Sequence, residues 1–150
     1  MNKQTTLDQL QDMKLSGMMR AYQAILSLPP HERPTLDVAI ARLAEAELLH
    51  RRSRKTELYL KLSKLRYNAV LEQVHCSPSR NLTKETLLYL AECSFIDRSE
   101  NILITGPTGC GKSFLACAIG RQACSLGYKS IYLGMNCFLE KVTQSKLDGT

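Results

Sequence analysis

The residues Asn101-Ile102-Leu103-Ile104-Thr105 lead directly into Gly106-Pro107-Thr108-Gly109-Cys110-Gly111-Lys112-Ser113, a complete GxxxxGK[ST] loop, and Phe114 to Gly120 carry on in helical composition. No other stretch restricts the fold as much. Gly106, Gly109 and Gly111 let the backbone curl until consecutive N–H groups point inward, a conformation that a Cβ atom obstructs. Lys112 adds a point charge and Ser113 a hydroxyl, and the helix that starts here adds the positive end of its dipole. Such a ring of donors suits a nucleoside triphosphate with Mg²⁺, the backbone and Lys112 on the phosphates and Ser113 on the metal. A Gly-rich turn without a ligand is the alternative; the β-branched segment before the loop and the helix after it argue against that.

The residues around the loop extend it into a unit. The composition predicts a strand at 102–105, a helix over 112–126 closed by Gly127, and a second strand at Ser130-Ile131-Tyr132-Leu133, which together make one βαβ unit. A further helix is expected from Asn136 to Lys146. This nucleotide-binding part begins near Cys93. Before it lies a connector, 77–92, with Ser77-Pro78-Ser79-Arg80-Asn81 and a short helix to Glu92 capped by Thr83.

Residues 1–76 have helical periodicity. Leu7, Leu10, Met18, Tyr22, Ile25 and Leu26 predict one amphipathic helix, weakened near Ser16-Gly17 and ended by Pro29-Pro30. A second run starts after Pro34 with Thr35 as N-cap and holds no Gly or Pro up to about Asn68. On it Leu36, Ile40, Leu43 and Ala44 share a face that Leu58, Leu62, Leu65 and Ala69 resume, but Glu47, Arg51, Arg54 and Lys55 interrupt it. Either the helix kinks near residues 50 to 54, or its middle projects into solvent. Both expose the cluster Arg51-Arg52-Ser53-Arg54-Lys55. Residues 42–66 carry eight basic side chains against three acidic ones. That balance fits contacts to nucleic-acid phosphates, and it also fits an ordinary solvated helix face.

The formal charge of +6 favours an anionic partner without naming it. No run approaches the ~18 apolar residues of a membrane span, and no apolar core follows Met1-Asn2-Lys3 as in a signal peptide, so a cytoplasmic protein is expected. The six cysteines form no CxxC pair and have no histidine at metal spacing, which suits buried or free thiols rather than a zinc site. Cys110, Cys117 and Cys124 recur at two-turn spacing; Cys117 and Cys124 are expected to pack in the core. Cys110, inside the loop, is expected to alkylate readily and to be shielded by ATP.

These residues resemble those of the IstB-like ATP-binding proteins, helper ATPases encoded beside certain insertion-sequence transposases and related to DnaC-type helicase loaders of the AAA+ class. Leu15-Ser16-Gly17-Met18, the basic second segment, Ser77-Pro78-Ser79-Arg80, Ile96-Asp97-Arg98-Ser99-Glu100-Asn101, the loop and Gly127-Tyr128 carry the resemblance. It implies an α/β chain in which an N-terminal helical module precedes the first βαβ unit of a P-loop AAA+ parallel sheet. It also implies ATP and Mg²⁺ at residues 106–113, DNA at Arg51, Arg52, Arg54 and Lys55, a cognate transposase as partner, and ATP-dependent homo-oligomerisation. Phe95 and Ile96 would lie near the adenine.

Full-length members of such a family need an acidic Walker B strand and sensor residues to hydrolyse ATP. After Leu133 the chain offers only Glu140 and Asp148 among acidic residues, neither after an apolar strand. The expectation is therefore a truncated, N-terminal portion that binds ATP without hydrolysing it. A non-enzymatic DNA-binding remnant stays open as an alternative; a small-molecule kinase fits less well, because a long helical module precedes the loop.

Overall fold

The computed structural model describes residues 2–149. They fall into two compact units divided between residues 57 and 58. Helices α1 (Lys3–Asp12), α2 (Ser16–Ser27) and most of α3 (Leu36–Ser63) form the first. The second holds the end of α3, then α4 (Lys84–Glu92), α5 (Ser94–Asp97), α6 (Lys112–Ser125) and α7 (Met135–Asp148). Among the described residues no helix is long and apolar enough to cross a membrane.

The single first helix expected from periodicity is two helices. Lys14 takes a left-handed backbone (φ 59°), and the Leu15 N–H turns back to the Leu10 carbonyl, so the chain breaks ahead of Ser16. What fixes the break is tertiary. Gly17 is buried against α3, where an added Cβ would lie 2.5 Å from the Ala46 carbonyl oxygen and 2.7 Å from the Glu47 Cα. The Glu47 carboxylate, also buried, accepts the N–H groups of Gly17 (2.8 Å) and Met18 (3.2 Å). Those are donors that a helix N-terminus otherwise leaves unpaired. Arg51 Nε completes the arrangement at 2.8 Å from the same carboxylate. The Arg51 hydrogen bond, opposed by burial and aided by the two backbone donors, holds the Glu47 carboxyl below the usual carboxylate range. A depressed value means that its stabilising contribution is complete above the unfolded value and is lost as the pH falls through the folded one.

Helix α3 continues unbroken through 50–54 and stops at Ser63, where Lys64 is left-handed (φ 51°). Of the two alternatives the kink is absent, and Arg51, Arg52, Arg54 and Lys55 in the basic middle are exposed. The packed face also differs from the predicted one: Ala39, Leu43, Ala46, Glu47 and His50 are at least half-buried, whereas Leu36 and Ile40 are exposed. Glu47 is thus part of the buried face rather than an interruption of it.

In the second unit α6 is the central element. Cys117, Ala118 and Ile119 bury against Ala69, Leu71 and Leu90, with Leu65, Val74, Leu87, Phe95, Phe114 and Tyr132 packed around them. Several local signals act where the sequence places them. The Thr83 hydroxyl accepts the Thr86 N–H at the start of α4. Gly127 (φ 94°) closes α6, with its N–H on the Cys124 carbonyl and that of Tyr128 on the Ala123 carbonyl, a Schellman arrangement. The Tyr128 hydroxyl then meets both Asp97 carboxylate oxygens at 2.8 Å, tying the end of α6 to α5. Cys117 and Cys124 are fully buried, as packing residues are.

The βαβ unit and its parallel sheet are not formed: among the described residues there is no strand, only an isolated bridge between Ser77 and Leu82. Residues 102–105 and 130–133 flank α6 as irregular segments, and the Tyr132 N–H donates to the Ser63 carbonyl at the end of α3 (2.7 Å). Ile104 and Tyr132 lean on the α6 core, while Leu103 is 87% exposed and Ile131 54%. Parallel strands are stable when both faces are covered. Here the described residues cover one face, so the second unit is helical and the α/β expectation is corrected.

Candidate nucleotide site and basic surface

Residues 106–113 adopt the curl that their glycines permit. Gly106, Gly109 and Gly111 have φ values of 150°, 83° and 89°, and Gly111 caps the N-terminus of α6. Two of these positions are also tight: a Cβ on Gly106 would lie 3.0 Å from Cys110 Sγ, and one on Gly111 3.2 Å from an Arg80 guanidinium nitrogen, so each neighbouring side chain would have to give by a few tenths of an ångström. Lys112 folds into the loop and donates to the carbonyls of Gly106 (2.8 Å) and Pro107 (2.7 Å), with Cys110 Sγ at 3.8 Å. The loop thus surrounds an ammonium group, half-buried and bound to its own backbone. Ser113, on the first turn of α6, is half-buried beside it.

A cleft of about 720 Å³ opens on this loop. Gly106, Pro107, Cys110, Gly111 and Lys112 form one side; Val74, Leu82, Leu90, Phe114 and Leu115 supply apolar surface, Ser79 and Arg80 come from the connector, and His75 lies just before it. No aspartate or glutamate lines it. An apolar wall beside a cationic, N–H-rich loop is the composition that a nucleotide requires of a pocket. Thr108 and Gly109 are exposed at the loop's tip. Phe95 packs on the α6 core, and neither it nor Ile96 lines the cleft. The group of three or more His, Cys, Asp or Glu side chains that would mark a protein-held metal does not occur among the described residues. Mg²⁺ makes no such demand, because it keeps waters and takes phosphate oxygens with one or two protein ligands; Ser113 is not among the residues that line the cleft.

In the first unit the four basic residues of the cluster at 51–55 differ from one another. Arg51 is committed to Glu47, although its side chain is 66% exposed. Arg52, Arg54 and Lys55 are exposed. Arg54 also lines a polar hollow of about 420 Å³ between α2 and α3 together with Ser16, Arg20, His50, Ser53 and Glu57. Arg20, His50 and Arg80 were not singled out by the sequence. Arg20 and His50 stand outside the basic run, and Arg80 is one basic residue in a connector rich in turn formers.

Residues 8–150 match the family of IstB-like ATP binding proteins. The chain belongs to that family. A protein of Pseudomonas fluorescens described as "Insertion sequence IS1162 putative ATP-binding protein" is 36% identical over 151 aligned positions, covering all of this chain and 65% of the relative. A "Putative insertion sequence ATP-binding protein" of Sinorhizobium fredii is 38% identical over 79% of this chain and 49% of its own length. A Geobacillus stearothermophilus protein, "Insertion sequence IS5376 putative ATP-binding protein", is 33% identical over 72% of this chain and 43% of the relative. This IstB-like chain therefore spans between about two fifths and two thirds of the curated relatives it matches.

Proposed function

We propose that this IstB-like chain binds ATP with Mg²⁺ at Gly106, Pro107, Thr108, Gly109, Cys110, Gly111, Lys112 and Ser113, and binds DNA through the exposed basic middle of α3, in support of transposition. The curled loop closed around Lys112 is the observation that carries the first half. Its backbone N–H groups and the start of α6 hold the phosphates, Lys112 offsets their charge, and the Ser113 hydroxyl takes a place on Mg²⁺. Mg²⁺, when bound, would supply positive charge that offsets that of the phosphates. The family's relatives, named for insertion sequences and ATP binding, support involvement with the transposition machinery; a transposase as partner and assembly of several copies with ATP belong to the same proposal. Residues 1–76 would then be the DNA-facing module, 77–92 a connector and 93–150 the nucleotide part.

Cys110 gives a direct test. Its thiol is half-buried at the mouth of the cleft, whereas Cys137 on α7 is exposed and outside it. Mg-ATP is expected to slow alkylation of Cys110 by about tenfold or more and to leave Cys137 unchanged, as read by peptide mass spectrometry. Equal Cys110 rates with and without Mg-ATP would remove the nucleotide from this loop.

For DNA, Arg52 and Arg54 are the informative positions, since neither is in the Glu47 ion pair. The double variant Arg52→Ala with Arg54→Ala is expected to weaken binding to duplexes of any sequence and to lower the slope of log K against log salt by about two, one per lost phosphate contact. Anisotropy of a labelled duplex measures both. An unchanged slope would assign the cluster to a plain solvated face.

A further inference from the structure

We propose that Arg80 is a phosphate-binding residue of the cleft, its guanidinium exchanging the Cys110 carbonyl for an oxygen of the bound nucleotide. This rests on the reading of loop 106–113 given above. Arg80 is presented by a pinned turn. The Ser77–Leu82 bridge closes it, the Arg80 N–H bonds the Ser77 carbonyl (3.0 Å), and Asn81 reverses the chain in a left-handed conformation (φ 51°) that asparagine tolerates. From there the guanidinium reaches the carbonyls of His75 (3.0 Å) and, thirty positions along the chain, Cys110 (2.6 Å). It lies 3.2 Å from where a Cβ on Gly111 would be, so a side chain there would displace the guanidinium by a few tenths of an ångström.

The electrostatics point the same way. Arg80 makes no ion pair among the described residues, and the cleft contains no carboxylate. Arg80 and Lys112 therefore direct two positive charges at one space, each compensated only by backbone carbonyl dipoles. Two like charges raise one another's energy, and an oligoanion between them removes that cost. A guanidinium bond to phosphate is charge-assisted on both sides and about twice as strong as one to a neutral acceptor, so exchange of Cys110 O for phosphate is favourable. Five donors in a planar fork allow the His75 contact to persist while the other arm changes partner.

The test uses the full chain and the fluorescent probe N-methylanthraniloyl-ATP, with Arg80→Gln, Arg80→Lys and Lys112→Ala compared by anisotropy. Glutamine loses the charge and is two atoms shorter; lysine keeps the charge and most of the reach. Arg80→Gln is expected to bind about tenfold more weakly, and Arg80→Lys to recover to within about threefold of the parent. A purely structural brace would lower the melting temperature of ligand-free Arg80→Gln together with its affinity; such a fall, or parental affinity in Arg80→Gln, would overturn the proposal. Retained affinity in Lys112→Ala as well would instead overturn the loop reading on which it rests. Melting temperatures of the ligand-free variants within a few degrees of the parent exclude misfolding as the cause.

Discussion

Lys112→Ala is expected to weaken Mg-ATP binding by about 100-fold while leaving the thermal stability of the ligand-free chain nearly unchanged. Two losses combine. The variant removes the one ammonium group inside the loop, and a hydrogen bond to a charged group contributes about 1.5–3 kcal/mol, or roughly one to two powers of ten in affinity. It also leaves the Gly106 and Pro107 carbonyls, now bound to Lys112, without their donor and facing the site that phosphates would occupy. Stability changes little because these carbonyls are exposed and water replaces the lost donor. Lys112→Arg is not a rescue, since a planar fork does not fit where a compact ammonium meets two carbonyls. Titration calorimetry with Mg-ATP measures the effect. Affinity within threefold of the parent would mean that the phosphates bind elsewhere.

The second large effect is on folding. Gly17→Ala is expected to destabilise the first unit by about 2–4 kcal/mol, the sum of overpacking and of a lost helix cap. The new Cβ would meet the Ala46 carbonyl oxygen at 2.5 Å, the Glu47 Cα at 2.7 Å and the Ala46 carbonyl carbon at 2.9 Å. All three are backbone atoms, so no rotamer change relieves the contact. Separating the helices would in turn pull the Gly17 and Met18 N–H groups from the Glu47 carboxylate. Urea unfolding monitored by circular dichroism gives the test: the midpoint should fall for Gly17→Ala and stay put for Ser27→Ala at the far, exposed end of the same helix. An unchanged midpoint at Gly17 would show that the two helices do not approach at this point.

What was legible in the sequence was local. The glycines of the loop, the Thr83 cap and the Gly127 stop each depend on a few neighbouring residues, and each takes the conformation that its chemistry dictates. The fold around them was less legible, because it depends on partners distant in the chain. Glu47 reads as a charge that spoils an apolar stripe, yet it is buried because α2 arrives with unpaired N–H groups for it to accept. The sequence shows only a weak point at Ser16-Gly17, and the complete break at Lys14 accompanies the same docking. Residues 102–105 and 130–133 have the composition of strands, but strand structure is a property of pairs, and no pairing partner is present among the described residues. Within the site, the loop was evident from its spacing. Arg80 was not, since its role arises only when the connector is folded over Cys110.

The internal bonds of Lys112 also set what kind of event the proposed nucleotide binding would be. The ammonium has three donors, two on carbonyl oxygens and the third near Cys110 Sγ at 3.8 Å, so under the proposed reading ATP would mainly replace neutral acceptors by anionic ones rather than fill an empty loop. The free state is therefore self-sated rather than strained or collapsed, and occupancy is set by a difference between two well-bonded arrangements. Such a loop discriminates by ligand charge. A singly charged anion has little to offer against two carbonyls already in place, whereas a polyphosphate displaces them both.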